Sequence, residues 1–239
     1  MNALEIKNLS KSFDGFALQN VSLTLPMGSA LGLIGENGAG KSTTISLLLG
    51  QLRRDGGEIR LLGQSAGENS AAIREDIGVV FDESCFPDGL NARQVDKVER
   101  CIYKNWDSGA YFEHIQRFDL PETKPFKTYS RGMKMKLALA VALSHKAKLL
   151  LLDEATGGLD PLARDELIGE LTAFIADGEH AILLSSHIVS DIEKLCDRVA
   201  FLHRGKLILS EEKEALLAAH PGKTLEEIIL DITRKEWEK

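Results

Sequence analysis

Cysteine, basic residues and long apolar runs are all scarce in this chain, and each shortage closes off a class of protein. Only three cysteines occur (Cys85, Cys101 and Cys196), an odd number whose spacing fits neither a disulfide framework nor a metal site. They read as reduced, structural thiols in a cytosolic protein. The longest uninterrupted apolar run, Leu137 to Leu143, is seven residues, whereas a membrane span needs about 18 to 20. Met1-Asn2-Ala3-Leu4-Glu5 has neither the basic nor the apolar region of a signal peptide. Lys and Arg number 29 against 36 Asp and Glu, a net charge of −7. That balance argues against a chain whose main work is clamping a nucleic-acid backbone. No internal repeat or low-complexity linker is present. What remains is 239 residues, 44% hydrophobic and 27% charged, the balance of a soluble globular protein. The length suits one domain, or a domain with a subdomain, and is enough to bury a core without disulfides or metals.

The hydrophobic pattern divides the chain. Val21, Leu23 and Leu25 alternate with Ser22 and Thr24, as in a half-buried strand. Asp14-Gly15 separates that run from Leu9–Phe13 and signals a hairpin. Ala30–Ile34 is a short apolar strand ending in a glycine-rich turn, followed by a helix with Ile45, Leu47, Leu48 and Leu49 and a stop at Gly50. From about Asn91 to Ser144 only helix signals appear. Asn91 can cap a helix carrying Val95, Val98 and Ile102; Ser108 can cap one carrying Phe112, Ile115 and Phe118. Pro121 and Pro125 punctuate, and a third helix begins near Arg131. Strands resume at Leu149–Leu152 and Ala181–Leu184, with a helix between them capped by Asp160, carrying Pro161 at its first position and stopping near Gly178. Val199–Leu202 and Leu207–Leu209 flank a turn at Gly205, and the tail from Glu211 reads as helical and mixed in charge. The pattern is an α/β core with a helical subdomain inserted in it.

Two segments carry chemistry on their own terms. Gly35-Glu36-Asn37-Gly38-Ala39-Gly40-Lys41-Ser42-Thr43 fits the P-loop pattern in full and lies between a predicted strand and a predicted helix. Its glycines let successive amides line a phosphate-binding concavity, and the helix that follows offers its positive end to the same anion. Lys41 supplies a cation for the β- and γ-phosphates, and the Ser42 hydroxyl can ligate magnesium. Leu149-Leu150-Leu151-Leu152-Asp153-Glu154 is a buried strand ending in two carboxylates, delivered to the sheet edge where open α/β folds bind ligands. Asp153 would hold magnesium through water, and Glu154 would polarise the attacking water.

Further segments fall in a fixed order around these. Ser130-Arg131-Gly132-Met133 precedes Asp153; Gly157-Gly158-Leu159-Asp160 follows Glu154; His187 comes after the next buried strand. P-loop, signature segment, strand-end Asp-Glu, Leu-Asp loop and switch histidine together resemble the nucleotide-binding domain of an ABC transporter, over essentially the whole chain. The resemblance implies a P-loop NTPase core with an N-terminal antiparallel β subdomain and a helical signature subdomain inserted at about 85–145, all in one ABC ATPase domain spanning 1–239. It implies a head-to-tail dimer closing on two ATP molecules with Mg2+. Ser130 and Gly132 would touch the γ-phosphate held by the partner's P-loop, Asp160 would join the nucleotide site, and His187 would orient the attacking water. Phe13 fits the family position where an aromatic ring stacks on adenine.

Departures from the family pattern are few: Asp82 for the usual Gln, Ala155 for Pro, Gly157 for Ser, and Arg131 and Met133 for Gly and Gln in the signature. They bear on coupling and metal geometry rather than ATP use, and Asp82 is a candidate third metal contact through water. The resemblance implies a peripheral subunit on the inner face of the cell membrane that powers separate permease subunits. It would work as a homodimer or beside a related ATPase, with no nucleic-acid partner. The segment Cys85–Asp119, with Trp106 and several aromatics, looks most like bacterial exporters. A soluble ABC ATPase acting on a non-membrane partner is the alternative, but such chains generally carry a coiled-coil insertion or second cassette absent here. A P-loop kinase would leave Ser130-Arg131-Gly132 and His187 without a role.

Overall fold

The computed structural model describes residues 1–66, 70–82 and 86–237. Glu83 and Cys85 lie outside the described residues, as does the start of the insertion expected near residue 85. An antiparallel hairpin opens the fold, β1 (Asn2–Phe13) and β2 (Phe16–Pro26), turned at Asp14-Gly15 with Phe13 opposite Phe16. β3 (Ala30–Ile34) leads to α1 (Lys41–Leu48), and β4 (Gly56–Leu61), β5 (Gln64–Ser65), α2 (Ser70–Glu75) and β6 (Ile77–Phe81) follow. Three helices, α3 (Ala92–Ile102), α4 (Ser108–Arg117) and α5 (Arg131–Leu143), separate β6 from β7 (Leu149–Asp153), with no strand among the described residues between them. The chain continues through α6 (Pro161–Ile175), β8 (Ala181–Ser186), α7 (Val189–Leu195), β9 (Arg198–His203), β10 (Lys206–Glu212), α8 (Lys213–Ala219) and α9 (Leu225–Trp237).

The strands order as β5-β4-β1-β2-β10-β9-β3-β8-β7-β6. β9, β3, β8, β7 and β6 run parallel to one another, whereas β5, β4, β1 and β2 are antiparallel. The four leucines of β7 are 0% exposed, because parallel strands flanked by helices are covered on both faces and read as continuous apolar runs. Their side chains alternate between two cores. Leu150 and Leu152 join Ile182, Leu184 and the helical insertion; Leu149 and Leu151 join Leu31, Leu33 and the α1 side.

Local chemistry set most helix boundaries where the sequence suggested, with instructive exceptions. Asn91 caps α3 in a capping box with Gln94. Asp107, not Ser108, caps α4: its carboxylate accepts from Ala110 N, while the Ser108 hydroxyl donates to the Asp96 carboxylate. Asp96 also accepts from Trp106 Nε1, so it turns inward with Ala92 and Val95. That rotates α3 and leaves Val98 and Ile102 exposed, contrary to the apolar stripe expected there. The tail is helical only from Lys213, since Glu211 and Glu212 still belong to β10.

Replacing a fully enclosed leucine removes both its transfer energy and its packing. Leu150→Ala should therefore cost about 2–5 kcal/mol, and Ile102→Ala should stay within about 0.5 kcal/mol, measured by urea unfolding. Equal losses would contradict this placement of the core.

Candidate active site

Four parallel strands end together, and their register decides what they carry to the edge. Ile34 stands opposite Ser186, Ser185 opposite Asp153, and Asp153 opposite Phe81. The next residues of each strand are Gly35, His187, Glu154 and Asp82. Residues distant in sequence thus share the carboxyl end of the sheet, the usual ligand edge of an open α/β fold.

The loop from β3 to α1 is built for close approach. Gly40, at the N-cap of α1, has φ 112°, a conformation that L side chains rarely adopt. A Cβ there would also stand 3.1 Å from Phe16 Cζ and 3.0 Å from Leu18 Cδ1. Glycine brings the cap no side-chain hydrogen bond, so the first amides of α1 keep their pull on an anion. Ala39 is buried and anchored by Gly205 N donating to its carbonyl at 3.0 Å. Asn37, Gly38 and Ser42 line the exposed side of the turn, and Thr43 is partly buried.

Lys41 is buried at 5% exposure. Its Nζ donates to the Gly35 carbonyl at 2.7 Å and the Glu36 carbonyl at 3.2 Å. It also forms an ion pair with Glu154 Oε1 at 3.0 Å, off the hydrogen-bonding direction. The other carboxylate oxygen, Oε2, lies 2.7 Å from His187 Nδ1. Glu154 itself has φ 52°, a left-handed conformation that costs an ordinary residue about 1–2 kcal/mol. Its amide is fixed by the Ser185 carbonyl at 3.0 Å. The neighbouring Asp153 is buried and accepts from Ser185 Oγ at 2.6 Å. Of the expected catalytic residues, Lys41 and His187 therefore both contact Glu154, one at each carboxylate oxygen, with Asp153 next to it in the chain.

The remaining candidates make other contacts among the described residues. Ser130 caps α5, its Oγ accepting from Met133 N at 3.2 Å. Asp160 caps α6 by accepting from Leu162 N at 3.1 Å and Ala163 N at 3.0 Å. Phe13 is exposed at the hairpin end, its ring centroid 6.4 Å from that of Phe16, with Lys11 Nζ 5.5 Å from the Phe13 centroid. Asp82 pairs with Arg131. Two contributors were missed in the sequence. Phe16 is the aromatic ring that meets the P-loop at Gly40, and it directly follows the recognised Asp14-Gly15 turn. Ser185 orients Asp153 and sits two residues before His187.

A phosphate-binding loop, a buried lysine and a strand-end pair of carboxylates define a P-loop nucleotide hydrolase. Residues 18–157 match the family described as ABC transporter. The lantibiotic transport ATP-binding protein SrtF of Streptococcus pyogenes is 36% identical over 87% of this chain and 90% of its own. The ABC transporter ATP-binding protein YtrB of Bacillus subtilis is 32% identical over 85% of this chain and 70% of its own. Among solved structures, an ATP-binding subunit of an ABC transporter superposes with a TM-score of 0.88 at 26% identity, covering 97% of this chain and 99% of that one. This chain belongs to the ABC transporter family and is its ATP-binding ATPase domain, with the P-loop NTPase fold. No helix among the described residues is long and apolar enough to cross a membrane.

The Lys41–Glu154 pair has a direct thermodynamic consequence. Unit charges about 4 Å apart interact by roughly 4 kcal/mol at an effective dielectric of 20, so any anion drawn to the ammonium must compete with Glu154 for it. Nucleotide phosphates, which carry more charge than one carboxylate, would win it, but against a cost. Glu154→Gln should therefore bind ADP more tightly than the parent, by about three- to tenfold, since a shift of 1.4 kcal/mol is about tenfold. ADP is used because it lacks the γ-phosphate. Isothermal titration showing unchanged or weaker ADP binding would contradict this competition.

Proposed function

We propose that this chain is the ATP-hydrolysing subunit of a membrane transporter, dimerising on ATP and driving separate permease subunits, with export as its direction. The observation that carries the reading is the contact of Glu154 with both Lys41 and His187 at the sheet edge. Phosphate binding would draw Lys41 toward the nucleotide and release Glu154 to polarise water, with His187 holding the carboxylate and water in line. Backbone amides of residues 35–43 would cradle the phosphates, and Phe13, assisted by Phe16, would stack on adenine.

Among the described residues, no three or more His, Cys, Asp or Glu side chains form a metal cage. The donors at hand fit an ion that arrives with phosphates and waters, as Mg2+ does. Ser42 and Asp153 would hold it, neutralising charge on the phosphates. Asp82, the third expected metal contact, also pairs with Arg131, so it would reach the ion only through one of its waters.

The dimer reading is supported by a glycine that nothing among the described residues requires. A Cβ on Gly132 would meet Ala163 Cβ at 3.5 Å and Ser130 Oγ at 3.9 Å, ordinary contacts, and its φ lies outside the left-handed region. The need for a bare backbone there would come from outside the chain, where a partner's γ-phosphate approaches Ser130 and the start of α5. The permease would dock in the cleft of about 340 Å3 lined by Leu49, Gln51, Val79, Phe81 and Tyr103. Relatives named for transport of a lantibiotic, of bacitracin and for Nod factor export support an exporter. The whole assembly would then sit at the inner face of the cell membrane, with one such ATPase domain per chain, its helical insertion at about 85–145, and a second copy or related chain opposite.

Glu154→Gln should lower ATP hydrolysis at least ~100-fold, the low end for losing a general base, while an ATP-dependent dimer accumulates in sedimentation. Near-parental turnover would remove Glu154 from the chemistry. Ser130→Glu places a negative charge where the opposing phosphate would lie. Nucleotide binding to the monomer should persist, and dimerisation and turnover should be lost. Equal loss of monomer binding would count against a role across the dimer. Phe13→Ala should weaken ATP by about five- to tenfold, the lower range for one stacked base, and leave tripolyphosphate affinity unchanged; a parallel loss of both would deny it the adenine.

A further inference from the structure

Three departures from the family pattern, at residues 82, 131 and 157, meet in space. The Arg131 guanidinium pairs with the Asp82 carboxylate across a separation of 49 residues. It also lies along the loop that follows Glu154. A Cβ added to Gly158 would stand 3.1 Å from Arg131 Cζ and 3.2 Å from Nη1, and one on Gly157 would stand 3.8 Å from Nη2. Gly158 has φ +68° as well, so any side chain there would be both strained and pressed into the guanidinium. One planar group therefore touches the end of β6, the start of α5 and the loop from 155 to 160. Arginine suits this place because its planar fork can hold a carboxylate at one edge while its other atoms lie close to the Gly157-Gly158 backbone, a reach that a compact ammonium lacks. Both partners are about half exposed, so the pair adds little to global stability. Its effect is geometric.

We propose that Arg131 is a positioning residue that ties the start of α5, with Ser130 and Gly132, to the 155–160 loop of the same chain, using Asp82 as its anchor. The tie makes the surface offered to a second copy move as one body with the strand end that carries Glu154. The inference rests on the reading that Ser130 and Gly132 face the nucleotide of another copy. Under the rival geometry Arg131 swings out to that nucleotide as an added cation, and Asp82 merely competes for it. The two predict opposite effects at residue 82.

The test is a double-mutant cycle on the full chain: Asp82→Asn, Arg131→Gln and the two combined, with Arg131→Lys as the conservative variant. Steady-state ATPase rates and amide hydrogen exchange of residues 155–160 are the readouts. Each single change should lower kcat about three- to tenfold, the span of coupling between contacting groups, with KM for ATP little moved. The double variant should be no worse than either single one, and lysine should fail to rescue. Exchange across 155–160 should quicken alike in both single variants without nucleotide. Multiplying losses in the double variant, or a kcat above the parent for Asp82→Asn, would overturn the tie. Because exchange is read on the nucleotide-free chain, the two readings fail separately. Quickened exchange in a protein that never dimerises would support the tie and overturn the dimer, whereas unchanged exchange in an active dimer would overturn the tie alone.

Discussion

Glu154 stands between a buried ammonium and an imidazole, and the rest of the site is arranged around keeping it there. Lys41 Nζ is 3.0 Å from one of its oxygens and His187 Nδ1 is 2.7 Å from the other. A carboxylate held this way cannot take up the arbitrary rotamers of an exposed side chain, and the lysine that neutralises it is the group that nucleotide phosphates demand. In the low dielectric of a largely buried pair, that exchange of partners is worth several times its value in water. On the proposed reading, phosphate arrival and release of the Glu154 carboxylate would be one electrostatic event.

Such an arrangement depends on strands that do not slip. β7 is anchored by leucines on both faces, and a shift of one residue would exchange its two apolar sets and carry Asp153 and Glu154 out of register with Ser185 and His187. The hydrogen bond from Ser185 to Asp153 ties the adjacent strand ends directly. The left-handed backbone at Glu154 is a local strain of the kind found where a fold over-determines a functional residue. The large apolar core and the small polar site are two aspects of the same parallel sheet.

Much of this was legible in the sequence because the parallel strands announce themselves. Ala30–Ile34 and Leu149–Leu152 are short apolar runs ending abruptly in polar residues, so the P-loop, Asp153 and Glu154 could be placed at strand ends from the residue pattern alone. Asp160 was legible as a cap, since an acidic residue just before a helix has a defined partner. Where two capping residues stand together, as at Asp107-Ser108, the local pattern does not choose. The choice was made by Asp96, which drew the serine hydroxyl inward. Non-local partners were the least legible. The pairing of Asp82 with Arg131, 49 residues away, could not be read from the chain's local pattern and appears only once the fold brings the two together. β4 and β5 carry exposed Glu58, Arg60, Gln64 and Ser65 near the sheet's far edge, so they show too few apolar residues to declare a period.

The central claim is that Lys41 leaves Glu154 for phosphate while Ser130 of a second copy closes the other side of the same nucleotide. Its most direct measurement is the crystal structure of the Glu154→Gln chain with ATP and magnesium. The account predicts two chains enclosing two nucleotides. In each site Lys41 should lie on the phosphates, within hydrogen-bond reach (about 3 Å), and the partner's signature serine should lie against the γ-phosphate. A nucleotide fully enclosed by one chain, or a Lys41 still bound to the Gly35 carbonyl and residue 154 beside bound ATP, would contradict it.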